Sequence, residues 1–287
     1  VGIGLRVAHY AELLAGPAPV ECAEVVTENF LGRGGRPRAV LEQVRSRAEI
    51  FLHGVSLSIG GVDPLDGEYL RALRQLASDT EPEWVSDHLC FSGYGGHHAH
   101  DLWPLPRTEE AIRHVCERVA RVQEVLGRRI ALENVSSYVQ YRADELTEWE
   151  FLREVLERAD TCCLLDVNNV YVNSQNHGFD PFEYLAAIPA NRIAYVHLAG
   201  HRDEGSFLLD DHGAAVAEPV WDLYRALIAR TGAKPTIIEW DERLPKLERL
   251  VAEAARARAE QRSALRSFGP ARTALAASES LALRVTP

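Results

Sequence analysis

The chain contains no methionine, and its only lysines are Lys234 and Lys246. Neither lysine closes an apolar run, so Schiff-base chemistry, which needs its lysine inside the pocket, is not expected. The five cysteines, Cys22, Cys90, Cys116, Cys162 and Cys163, form an odd count without a Cys-x-x-Cys pair. That pattern gives neither a disulfide framework nor a thiolate zinc site, and buried small hydrophobes are expected instead. No apolar run approaches the roughly 20 residues that cross a bilayer. The opening run shows no basic segment followed by a cleavage site, so a cytoplasmic protein with no membrane contact is expected. Positive charge is short as well, with 31 lysines and arginines against 42 acids and a net charge of −11. Binding a phosphate backbone needs a basic footprint, so no nucleic-acid partner is expected; a small-molecule, peptide or protein substrate fits the charge better.

What the chain does have is apolar, β-branched runs in a regular rhythm. Its 287 residues, 46% of them hydrophobic, suffice for a full core. Strands are predicted near residues 2–7, 20–27, 50–56, 84–88, 130–134, 163–167, 193–198 and 236–240, each apolar enough to be buried on both faces. Amphipathic helices are predicted near residue 11 and over 36–49, 67–78, 108–126, 148–159, 181–188, 218–230 and 244–262. Eight strand-then-helix units point to an α/β fold with a single closed (β/α)8 TIM barrel over residues 1–262, since a doubly wound sheet usually stops at five or six strands. Residues 263–287, rich in Ala, Ser and Arg with a Gly-Pro step at Gly269, read as a C-terminal tail outside the barrel. Two connections that follow strands, 89–107 and 199–217, are too long for plain loops and belong at the rim where such barrels carry their sites.

Six of the runs end on a histidine or a carboxylate: His53, His88, Glu133, Asp166, His197 and Glu239. A parallel barrel gathers these ends at one rim. A lone histidine there is as often structural as ligating, and a carboxylate can be paired with a rim arginine. Six together favour a metal, because buried charges must be paired or coordinate an ion. Asp210 and His212, one residue apart, can point the same way from an extended segment, and Asn169 can add a neutral oxygen from the turn after Asp166. The resulting donors, His53, His88, Glu133, Asp166, Asn169, His197, Asp210, His212 and Glu239, are all nitrogen or oxygen and suit roughly two or three ions with bridging carboxylates. Zinc, manganese and iron all tolerate that set. Arg6, Glu28 and Asn29 end the first two strands and are pocket or rim-packing residues. His97, His98 and His100 read as exposed histidines on a glycine-rich lid.

The segments HGVSLSIG from His53, SDHLCFS from Ser86, LENVSSY from Leu132, LLDVNNVYVNSQNHGFDP from Leu164, HLAGH from His197, DDHGAAV from Asp210 and IEWD from Ile238 together resemble the multinuclear non-haem iron-dependent oxidative enzymes (MNIO). This is the UPF0276-type family catalogued as domain of unknown function 692, which includes the methanobactin-synthesis oxidase. The resemblance spans about residues 2–255. It implies a barrel like those of xylose isomerase and endonuclease IV, two to three Fe ions of mixed Fe(II)/Fe(III) state, and O2 as co-substrate. It also implies oxidative modification of cysteine residues in a ribosomally synthesised precursor peptide (RiPP biosynthesis), usually delivered by a small recognition partner protein. His53, His88, Glu133, Asp166, His197, Asp210, His212 and Glu239 align with metal ligands of the wider superfamily, whereas Asn169 departs from it, standing where endonuclease IV has a histidine, with Asn168 the lesser choice for that role. The neutral Asn169 implies a more open ion, and Asn169, Asp210 and His212 are assigned to the reacting side. Trp103 and Tyr171 are expected peptide contacts. Alternatives are an endonuclease IV-like phosphodiesterase, a xylose isomerase-like sugar isomerase and a non-catalytic metal scaffold.

Overall fold

The computed structural model describes residues 1–16, 19–32 and 34–282, with side chains at all of these except 100 and 267–282. In chain order the strands are β1 (Gly2–Gly4), β2 (Cys22–Val26), β3 (Glu49–His53), β4 (Trp84–His88), β5 (Phe91–Tyr94), β6 (His97–Trp103), β7 (Ala131–Glu133), β8 (Cys162–Asp166), β9 (Ile193–Leu198), β10 (Arg202–Asp203), β11 (Leu208–Leu209) and β12 (Thr236–Ile238). Strands β1, β2, β3, β4, β7, β8, β9 and β12 close into a barrel. Every pairing within it is parallel, including the closing one of β12 on β1. The eight strands are those expected from the sequence, and the fold is a TIM barrel.

Around it lie α1 (Tyr10–Ala15), α2 (Gly35–Arg45), α3 (Gly67–Thr80), α4 (Glu109–Leu126), α5 (Glu148–Arg158), α6 (Val167–His177), α7 (Pro181–Ala187), α8 (Glu218–Thr231) and α9 (Leu247–Ala282). Side-chain caps set several of the starts: Asp66 accepts two amides at α3, and Thr147 with Glu150 forms a capping box on α5. Helix α9 runs past residue 262, and Ala264 still packs into the core. Residues 283–287 of the segment read as a tail lie outside the described residues.

Three features are absent from the sequence reading. Helix α6 starts directly at Asp166 with no intervening loop, and both long rim connections fold back as antiparallel hairpins, β5–β6 and β10–β11. The first hairpin turns on Gly95 and Gly96, both with positive φ (60° and 77°). That is the conformation a two-residue type I′ turn requires, so the glycine-rich segment is a strand-to-strand turn, with His97 and His98 on β6 rather than on a lid.

Inside the barrel the side chains form layers. The lower layer consists of Cys22, Phe51, Ala131, Cys162, Leu164, Tyr195 and Ile237. Two residues further along, where the pleat returns to the same face, come Glu24, His53, Glu133, Asp166, His197 and Glu239. An apolar layer thus floors a polar one. On β1 the register places Gly4 opposite Glu24, and a Cβ at Gly4 would lie 2.9 Å from the Arg6 guanidinium. The glycine makes room for Arg6 to reach over the polar layer.

Candidate metal centre

On the strand-borne side, His53 Nε2 lies 2.9 Å and His88 Nε2 3.2 Å from Glu133 Oε2, and the two imidazole nitrogens are 3.3 Å apart. Glu133 Oε1 faces His197 Nδ1 at 3.3 Å, and the same nitrogen lies 2.8 Å from Glu239 Oε2 and 4.0 Å from Asp166 Oδ2. The outer nitrogens are tied down: His53 Nδ1 to Ser86 Oγ at 2.8 Å, His88 Nδ1 to the Gly54 carbonyl at 3.0 Å, and His197 Nε2 to Glu24 at 2.8 Å. Such partners fix ring orientation at ligand histidines.

The other side is built from loops. His212 lies between Asp210 (2.7 Å), Glu239 (3.2 Å), Asp241 (3.3 Å) and Asp166 (3.7 Å). Its backbone is left-handed, with φ 42°, a conformation non-glycine residues hold mainly where their surroundings demand it. Asp210 is steadied by the Asn168 amide at 2.9 Å, and Asn168 in turn contacts His201 at 2.8 Å. Asp166 caps α6 by accepting the Asn169 amide at 2.7 Å. Asn169 Nδ2 donates to the Asn134 carbonyl at 3.0 Å, which leaves its oxygen turned to the cavity.

All nine donors named from the sequence therefore converge. Five of their buried atoms have no aligned hydrogen bond, Glu133 Oε2, Asp166 Oδ2, Asn169 Oδ1, His197 Nδ1 and His212 Nε2, although three of them stand 2.7–2.9 Å from an oppositely charged neighbour. Buried polar atoms are nearly always satisfied, so this concentration suits cations. Donor atoms within 4.8 Å of one another fall into three overlapping groups: His53, His88 and Glu133; Glu133, Asp166, His197 and Glu239; and His212, Glu239 and Asp241. Glu133 and Glu239 are each shared between two groups, as bridging carboxylates would be.

Electrostatics agree with this arrangement. Burial disfavours a charged His88, yet Glu133 and Asp87 raise it to about 9. Burial likewise opposes charge on His197 and His212, but Glu24, Glu239 and Glu133 raise the first and Asp210 and Glu239 the second, both well above the ordinary histidine value. Against burial, the histidines hold Glu133 and Glu239 low. Asp166, with no exposed surface, goes the other way: burial raises it, and Glu133 and Asp210 add to what His212 and His197 only partly offset. Without metal, protons supply the positive charge these carboxylates require.

The site opens into a cavity of about 1080 Å³ whose lining includes Val55, Asp101, Trp103, Tyr138, Val139, Phe207 and Glu242. Trp103, Tyr138, Val139 and Phe207 are each 39–46% exposed, an unusual gathering of bare apolar surface. Tyr138 and Phe207 meet edge-to-face at 5.8 Å, and the Tyr138 hydroxyl accepts the Asp210 amide at 2.9 Å. Among the described residues the lining carries no lysine or arginine. Trp103 is placed as expected; Tyr171 instead packs on His201 at 5.2 Å and does not line the cavity. Arg6 reaches the rim, pairing with Glu239 at 3.3 Å and with Asp241. Glu28 is used behind the wall by Val55 and Tyr69, and Asn29 is exposed. Sequence reading missed Glu24, Ser86, Tyr195 and Asp241. Period-two alternation carried the signal for Glu24, two residues after Cys22, and for Asp241, two after Glu239.

Residues 1–262 match the family described as RiPP precursor modification enzyme MbnB/TglH/ChrH. A UPF0276 protein of Anaeromyxobacter sp. (strain Fw109-5) is 58% identical over 264 residues, 92% of this chain and 93% of the relative. One from Acaryochloris marina (strain MBIC 11017) is 50% identical over 256 residues, covering 89% and 92%. Among solved structures, endonuclease IV from Thermus thermophilus superimposes with a TM-score of 0.59 at 15% identity, over 91% of this chain and 98% of that one. An L-ribulose 3-epimerase does so with 0.55 at 16%, over 100% and 99%. At these identities the likeness is one of fold.

Proposed function

The chain belongs to the RiPP precursor modification enzyme family MbnB/TglH/ChrH, and we propose that it carries out iron- and O2-dependent oxidation of cysteine residues in a ribosomally made precursor peptide. The observation that carries this reading is the nest of buried nitrogen and oxygen atoms left without aligned hydrogen bonds. His53, His88 and Glu133 would hold one iron; Glu133, Asp166, His197 and Glu239 a second; His212 and Glu239, with Asp210 and Asp241, a third. Iron bound there would supply the activation of O2 and a seat for the cysteine sulfur.

The protein's own part is placement. Glu133 and Glu239 fix neighbouring positions relative to one another, and the neutral Asn169 oxygen leaves one side of the cluster less charged. Asp210, held by Asn168 beside His212, is set to take the thiol proton. The two hairpins and the Tyr138–Phe207 pair offer an apolar vestibule to the residues flanking the cysteine and limit water around it. A small recognition protein that presents the peptide belongs to the same proposal. The lack of lysine and arginine in the lining favours a peptide over a phosphodiester.

The test is to purify the protein without oxygen, measure its metals and EPR spectrum, and follow O2 uptake with Cys-bearing peptides encoded beside its gene. Iron bound at more than one position with peptide-dependent O2 consumption supports the reading. Zinc alone, with no O2 consumed with any such peptide, overturns it.

A further inference from the structure

We propose that Glu24 is a positioning residue that fixes the ring orientation of two ligand histidines at once, and so couples the two strand-borne metal positions through one buried carboxylate. The inference rests on the metal-centre reading, not on which metal binds or which reaction follows. Glu24 is 1% exposed and sits on β2. One branch is direct: His197 Nε2 lies 2.8 Å and 3.0 Å from the two Glu24 oxygens. The other is a chain: the Tyr195 hydroxyl donates to Glu24 Oε2 at 2.8 Å, Ser86 Oγ lies 2.6 Å from that hydroxyl, and His53 Nδ1 lies 2.8 Å from Ser86 Oγ.

The direction of the chain follows from hydrogen counting. A carboxylate only accepts, so Tyr195 spends its single proton on Glu24. Ser86 then spends its own on Tyr195, in preference to the longer contact with the Leu52 carbonyl at 3.3 Å. Ser86 can therefore only accept from His53, which must carry a hydrogen on Nδ1 and turns Nε2 to Glu133 and His88. By the same rule His197 carries a hydrogen on Nε2 and turns Nδ1 to Glu133 and Glu239. Both rings thus have the outer nitrogen committed to a donated hydrogen, so the inner nitrogen of each is the one left to give a lone pair to a cation. Ser86 and Tyr195 touch no carboxylate of the cluster, yet one of the two metal positions depends on them.

The experiment is Co2+ binding to the full chain, read by absorption spectrum, metal per chain and chelator competition. Glu24→Gln introduces a donor that opposes both branches, and is expected to weaken both the His53-bearing and the His197-bearing positions by about 10–100-fold. Tyr195→Phe and Ser86→Ala interrupt only the chain; each is expected to weaken the His53-bearing position and leave the other at wild-type affinity. The melting temperature of each metal-free variant checks its folding, and the Tyr195 and Ser86 variants still decide the matter if Glu24→Gln does not fold. Wild-type Co2+ affinity and spectrum in Glu24→Gln, or equal weakening of both positions by Tyr195→Phe, would overturn the proposal. A wild-type protein that takes Co2+ at both positions but never consumes O2 would instead count against the oxidase reading and leave the role of Glu24 intact.

Discussion

The two sides of the cluster are built differently. His53, His88, Glu133 and His197 stand on barrel strands, and each of these histidines has its outer nitrogen held by a second partner. Asp210, His212 and Asp241 sit in loops; His212 needs a left-handed backbone, and Asp241 is 41% exposed and shared with Arg6. A strand-borne donor is fixed by the closed sheet beneath it, whereas a loop-borne donor is fixed by its neighbours. The strand side should thus bind metal tightly and without rearrangement, while the loop side should be the exchangeable part, where substrate enters.

The sharpest way to break this contrast is to remove Glu133, which serves two donor groups. Glu133→Ala is expected to cost more than about 100-fold in metal affinity, beyond what outer partners typically contribute, with metal per chain measured after dialysis. On the loop side Asp241→Asn should cost one metal position only and leave the strand-borne metal in place, as followed by the same assay. If it empties the whole site, the two sides are not separable. Phe207→Ala, at the vestibule, should raise the KM for peptide by about 10-fold with kcat little changed, the size expected for an aromatic contact of roughly 1–2 kcal/mol.

The smallest effect concerns the scaffold behind the vestibule. Glu148, enclosed by Tyr184, Asn173 and Arg107, is pushed by burial up to about 7, against the Tyr184 and Asn173 contacts that lower it. Asn173 in turn holds the Ser137 amide at 2.7 Å, next to Tyr138. A carboxyl whose folded value is raised favours the native state while protonated. Its contribution is therefore full below its unfolded value near 4.5 and is lost as pH rises through about 7. Thermal unfolding between about pH 5 and 8 should show that decline, and Glu148→Gln should flatten it.

The barrel was readable from the sequence because its strands are buried on both faces and end abruptly on polar residues. Eight of the nine candidate donors followed from those endings and from the Asp210–His212 spacing, and Asn169 from its place in the turn after Asp166. Glu24 escaped because β2 runs apolar beyond it, so the strand appeared to end at Glu28, which serves Tyr69 instead. Asp241 escaped because only strand ends were counted, although it repeats the inward face two residues past Glu239. Helix α6 was invisible for another reason: its Asn- and Val-rich run has weak helix propensity, and its start depends on the Asp166 cap and on burial against the barrel. The hairpins depend on Gly95-Gly96 and on short ladders that no apolar run announces.

The decisive measurement is iron stoichiometry with Mössbauer spectroscopy on protein reconstituted with Fe(II) under anaerobic conditions. More than one iron per chain, with distinguishable sites of which Asp241→Asn removes one, is the expected result. A single iron per chain, unaffected by changes at both Glu133 and Asp241, would contradict a multinuclear centre built across the two sides.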